Sequence, residues 1–193
     1  MIEKILNYDI EFFLYLNNLG TTKYDKFWFL LSEIEANIFF YLLALGIFIF
    51  YSKTKLNSKL IFLLTFIIIL ILIADQTSNL SKDFFERLRP CYNESIKSTV
   101  RLVKESCGGR FGFFSAHASN SFSLAIFFGL LLKKHSSIFI YISLVFASFI
   151  SYSRIYLGVH FPLDIIFGGI FGILNGFIIF RLYQLFIKSF YKS

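Results

Sequence analysis

The chain has 193 residues, 56% of them hydrophobic and 21% aromatic, with a formal charge of +7 and a mean hydropathy of +0.68. A soluble domain is about 45–50% apolar, so composition places the chain in a membrane, with room for one membrane domain and no separate soluble one. The cations are dispersed between apolar runs, which sets nucleic acid aside as a partner and makes the charge a topology signal.

The N-terminus lacks a basic leader, and its apolar stretch carries Asp9 and Glu11. No cleavable signal peptide is expected there, and the first spanning helix directs insertion. Residues 8–32 mix Phe12, Phe13, Tyr15, Leu16, Trp28 and Phe29 with charges. They read as interfacial helices lying on the bilayer; a short sixth span is the second reading, and it would set Glu33 and Glu35 close to hydrocarbon. The expected division is an interfacial amphipathic segment, residues 1–35, and a membrane domain, residues 36–193.

A hydrocarbon core about 30 Å thick needs roughly 20 apolar residues in helix. Segments near 36–52, 59–79, 116–133, 136–154 and 161–180 meet this, some with their flanks. The predicted fold is all-α, a polytopic membrane helix bundle of about five spanning helices plus N-terminal interfacial helices. In the fifth span Gly168, Gly172 and Gly176 recur every four residues, as close helix packing requires.

Lys53, Lys55, Lys59, Lys133, Lys134, Arg181, Lys188 and Lys192 fall on one face of this bundle, with no acidic residue among them. The positive-inside rule makes that face cytoplasmic. The loop 80–115 then lies outside and holds the two cysteines, Cys91 and Cys107. An oxidising exterior permits a disulfide between them, worth about 3 kcal/mol by loop closure. Two free thiols are the other reading.

Three polar clusters fall on the outer face. In the first, Lys82 and Arg89 are seven residues apart, two turns, and share a face if the second span continues outward as a helix. Arg87 falls on another face and reads as a solvated charge. Pro90 ends the helix. The second cluster, Ser115-Ala116-His117, opens the third span, where unpaired N–H groups and the helix dipole suit an anion. Its Ser hydroxyl can donate to the same oxygens, and His117 can act as a general acid. In the third, Pro162 opens the fifth span. That puts His160 just outside it and Asp164 one turn inward, where a carboxylate can fix the imidazole tautomer and expose the other nitrogen as a nucleophile. Arg154 closes the preceding span and can fork onto phosphate oxygens. Each cluster alone also fits capping or snorkelling. Three on one face point to phosphate chemistry on a lipid.

The clusters resemble the signature of the type-2 phosphatidic acid phosphatase family, related to vanadium haloperoxidases: KxxxxxxRP, PSGH and SRxxxxxHxxxD. The first and third match from Lys82 to Pro90 and from Ser153 to Asp164. The second departs, with Phe114 for Pro and Ala116 for Gly, while Ser115 and His117 remain. The resemblance covers about residues 36–187. It implies His160 as a nucleophile forming a phosphohistidine, Asp164 as its orienting group and His117 as proton donor to the leaving group. Lys82, Arg89, Arg154, Ser115 and the Ala116 backbone would hold the phosphate. Neither metal nor cofactor is implied.

The expected function is an integral-membrane lipid phosphatase of the bacterial inner membrane, its site facing the cell exterior or periplasm. Its partners are the bilayer and a phospholipid or polyprenyl lipid phosphate, and no obligate protein partner is evident. Undecaprenyl diphosphate ranks first as substrate, lipid A second, and phosphatidic acid or phosphatidylglycerol phosphate third. A lipid phosphotransferase, or a non-catalytic membrane protein, would be the readings from other classes.

Overall fold

The chain has only two prolines: Pro162 opens a long helix, and Pro90 opens a short 3-10 turn, Pro90–Tyr92, rather than ending the preceding helix, which already stops at Phe85. A ring without an N–H breaks an interior turn but suits a first one. The computed structural model describes residues 2–52 and 58–190, and among these it forms seven α-helices and no strand. Two helices come first, α1 (Ile2–Asn18) and α2 (Thr22–Ser32). The bundle follows with α3 (Ile34–Ser52), α4 (Ser58–Phe85), α5 (Ala116–Leu132), α6 (Ile138–Tyr156) and α7 (Pro162–Phe190). Three stretches, Lys59–Phe85, Ile138–Tyr156 and Pro162–Phe190, are long and apolar enough to span a membrane, and Ile38–Tyr51 and Ala116–Leu132 are shorter apolar helices. α4 and α7 run past the apolar windows 59–79 and 161–180, because backbone hydrogen bonding continues where hydropathy stops.

α5 is the central helix, buried along most of its length. The glycine stripe of α7 lies against it. A Cβ at Gly168 would come within 2.6 Å of the Ser115 carbonyl oxygen, and Gly172 and Gly176 meet the Ser119 and Ser123 carbonyls in the same way. The matching four-residue spacing on both helices lets the backbones touch. Asn175 then ties three helices together, donating to Leu70 O and Ser123 Oγ, each at 3.0 Å. Below these polar ties lies an aromatic and aliphatic core that includes Phe48, Leu63, Leu70, Phe127, Phe128 and Phe180.

The ends of the bundle are chemically distinct. Tyr51 stacks on His135 at 4.9 Å and Phe62 on Phe190 at 5.7 Å. These contacts gather the ends of α3 and α7, the start of α4 and the α5–α6 turn, with Lys59, Lys133, Lys134 and Lys188, at one end. Lys53, Lys55 and Lys192, which also entered the charge asymmetry, lie outside the described residues. The three polar clusters occupy the other end.

α1 and α2 pack over that polar end. Asp9, Phe13 and Asn17, one turn apart, form the buried stripe of α1. Phe13 meets Phe161 edge-on at 5.1 Å. Asn17 donates to Ile155 O and Tyr156 O, both at 3.0 Å, satisfying carbonyls at the C-terminus of α6. In α2, Asp25 pairs with Arg101, and Trp28 stacks among Phe149, Tyr152 and Tyr156. A second stripe of α1, Ile5, Tyr8, Phe12 and Tyr15, is exposed, as an amphipathic helix on a bilayer surface would leave it.

Candidate active site

The α6–α7 connection turns at Gly158, whose φ of +80° is open to glycine and costly to residues with a Cβ. The turn brings His160 to the first turn of α7. There Asp164 Oδ2 accepts from Phe161 N at 2.9 Å and lies 3.3 Å from His160 Nδ1. One oxygen thus caps the helix and faces the imidazole. Gly112 lies against the ring, where an added Cβ would stand 3.5 Å from His160 Nδ1. Both groups are essentially inaccessible, His160 at 2% and Asp164 at 0% exposure. Burial, and after it the charges of Arg89, Arg154 and Lys82, hold the His160 pKa well below the usual histidine range. The ring is therefore neutral near pH 7, and with Nδ1 turned to Asp164 its Nε2 carries the free lone pair.

The three cations arrive from three elements. Lys82 is in the last turn of α4, its ammonium donating to Asn79 Oδ1 at 3.0 Å. Arg154, in the last turn of α6 and 6% exposed, donates to Ser32 Oγ. Its Nε is buried without a hydrogen-bond partner among the described residues. Arg89 donates to Phe111 O at 3.1 Å and Cys107 O at 2.5 Å. The loop carrying Arg89 is fixed by a Cys91–Cys107 disulfide with Cα atoms 6.5 Å apart and by a bridge between Leu88 and Phe111.

Ser115 caps α5, its Oγ accepting from Ala118 N at 3.4 Å, so the hydroxyl proton remains available to a ligand. Its backbone N–H donates to Asp164 O at 3.0 Å, which fixes the N-terminus of α5 against the first turn of α7. Ala116 is then the first helical residue, at the anion-favouring end of the dipole. His117 follows, beside the Ser32 backbone and within electrostatic reach of Arg154 and His160. Ala116 and His117 also line a cavity of about 480 Å³ between α3, α4 and α5.

The first cluster is built differently from its expected helical form. α4 ends at Phe85 and Glu86 has a φ of +47°, so Lys82 and Arg89 do not share a helix face. Residues 87–89 are extended instead, with Arg89 N donating to Arg110 O at 3.1 Å and Gly112 N to Arg87 O at 2.8 Å. Alternation along an extended segment turns residues i and i+2 to one side. Arg87 therefore joins Arg89 at the site rather than standing in solvent. Its guanidinium donates to Asp164 Oδ1 at 2.7 Å and pairs with Asp9, while Asp9 Oδ1 accepts from Leu163 N at 2.9 Å.

Sequence reasoning missed Asp9, Arg87, Ser32 and Gly112. A two-residue period through Arg87 and Arg89 would have signalled the second. A side chain at Gly112 would meet Arg89 Cγ at 3.1 Å and Asp164 Oδ2 at 3.2 Å. Asp9 and Ser32 reach the site only through tertiary packing of α1 and α2.

Residues 58–188 match the profile of the PAP2 superfamily. A lipid A 4'-phosphatase of Porphyromonas gingivalis is 32% identical over 183 residues, 94% of this chain and 75% of that protein. One from Bacteroides thetaiotaomicron is 33% identical over 183 residues, 93% of this chain and 79% of that protein. The crystal structure of Aquifex aeolicus LpxE superposes with a TM-score of 0.67 at 25% identity, covering 89% of this chain and 93% of that one.

Proposed function

The chain belongs to the PAP2 superfamily, and from that membership we propose that it removes phosphate from the lipid A head group, at the 4′ position, through a phosphohistidine on His160. The observation that carries the mechanism is the buried His160, held by Asp164 beneath three convergent cations. Sequence reasoning put undecaprenyl diphosphate ahead of lipid A. The two lipid A 4'-phosphatases among the relatives, 32% and 33% identical, favour the reverse order.

In the proposed reaction Lys82, Arg89 and Arg154 neutralise the phosphate oxygens, with Ser115 and the Ala116 N–H completing the cradle. His160 Nε2 attacks phosphorus as the bond to the sugar oxygen breaks, and His117 delivers a proton to that oxygen. Water then attacks the phosphohistidine with His117 as base, releasing inorganic phosphate and restoring His160. The basic end of the bundle supports placing this site on the outer face of the bacterial inner membrane.

The test is phosphate release by detergent-purified protein from lipid A, undecaprenyl diphosphate and phosphatidic acid, with His160→Ala beside it. Lipid A should be the fastest substrate, and the variant should fall to background. Faster release from undecaprenyl diphosphate would overturn the substrate, and undiminished release by His160→Ala would overturn the mechanism.

A further inference from the structure

Two polar groups beside the phosphate cradle play no part in the chemistry above. Asp75 lies seven residues before Lys82 on α4, so both occupy one face, about 10 Å apart along the axis. The Asp75 charge is close enough to act on the Lys82 ammonium. On α5, Asn120 follows His117 by one turn and shares its face. Asp75 and Asn120 both line the cavity of about 480 Å³ that begins at Ala116 and His117 and continues between apolar walls that include Leu42, Leu64 and Ile67. The cavity thus runs from His117, the proposed proton donor, past both side chains.

These two groups are poorly satisfied by each other. Asn120 Nδ2 reaches Asp75 Oδ1 at a long 3.4 Å, and Asn120 Oδ1 is buried with no partner among the described residues. A carboxyl in a membrane helix is costly, and an orphaned buried carbonyl oxygen adds to that cost. A pair serving only to join α4 to α5 would close on itself. Here both residues instead border an open cavity.

We propose that Asp75 and Asn120 form a donor-reading site for the lipid head group, accepting hydroxyl or amide N–H groups carried next to the phosphate. The matching chemistry is a phosphorylated N-acyl amino sugar. A prenyl diphosphate or phosphatidic acid offers no such donors. The inference rests on the lipid A reading and adds the residues that would make that choice.

The experiment compares kcat/KM for lipid A with kcat/KM for phosphatidic acid in mixed micelles, using wild type, Asp75→Asn and Asn120→Leu. The ratio should fall about tenfold to a hundredfold in each variant, the range for losing hydrogen bonds to a charged or buried group. Proportional loss on both substrates would reduce the pair to an interhelical contact and overturn the proposal alone. Wild type that hydrolyses phosphatidic acid or undecaprenyl diphosphate but not lipid A would overturn the lipid A reading as well. A second measurement needs no variant: methylating the hydroxyl and amide donors of a monosaccharide lipid phosphate should lower kcat/KM of the wild type by a similar factor, and an unchanged value would refute the site.

Discussion

Both oxygens of Asp164 are engaged: Oδ2 faces His160 and the Phe161 N–H, and Oδ1 takes Arg87. Arg87 is held in turn by Asp9, which also accepts from the Leu163 N–H. The imidazole is thus oriented through a chain of four side chains that begins on α1. Such outer partners fix ring geometry, and losing one typically lowers activity by about tenfold to a hundredfold. Asp9→Asn keeps the shape but removes the charge, so kcat should fall within that range while KM changes little. A purely structural role would instead show as lost thermal stability with kcat preserved in the folded fraction, a pattern read directly from Tm and steady-state kinetics. The residues proposed to contact phosphate were legible in the sequence because their types are chemically narrow and they sit at motif spacing. Asp9 was not. Nothing local distinguishes a carboxylate aimed into the fold from one facing solvent.

At the scale of elements, the site depends on how closely α5 and α7 approach. The glycine stripe sets that distance, and the Ser115 N–H to Asp164 O bond ties the result to the residue that carries the carboxylate beside His160. Gly168→Ala would drive a methyl into the Ser115 carbonyl, a backbone atom that cannot rotate aside. Activity should drop by tenfold or more, with a loss of about 1–3 kcal/mol from overpacking. Gly46→Ala, where the added Cβ meets nothing within 4 Å, should be neutral or stabilising by up to about 1 kcal/mol. Kinetics and thermal unfolding of the two variants check the contrast; equal effects would contradict it. The close packing was readable from spacing alone. The path of residues 86–89 was not, because helix periodicity was extended past Glu86, where the backbone leaves the helical region.

The whole molecule is a bundle with one basic end and one end that combines both charge signs with the candidate site. Its N-terminal helices cover the latter rather than standing apart: α1 supplies Asp9, α2 supplies Ser32, and Asn17 satisfies the C-terminus of α6. Hydropathy and charge counting revealed the helical class and the charge asymmetry between the two ends. They carried no information about which loop the amphipathic segment would cover, since that depends on long-range packing. The proposed orientation predicts that a cysteine introduced at Lys97 reacts with an impermeant maleimide in intact cells, while one at Lys134 reacts only after the membrane is opened. The reverse pattern would invert the topology and place the site in the cytoplasm.

The central claim is that phosphate passes from the lipid to His160. Wild-type protein mixed with lipid A carrying a radiolabelled 4′-phosphate, quenched in alkali within one turnover and digested for mass spectrometry, should carry the phosphoryl group on the peptide containing His160. Label on His117, or turnover with no label on the protein, would contradict it.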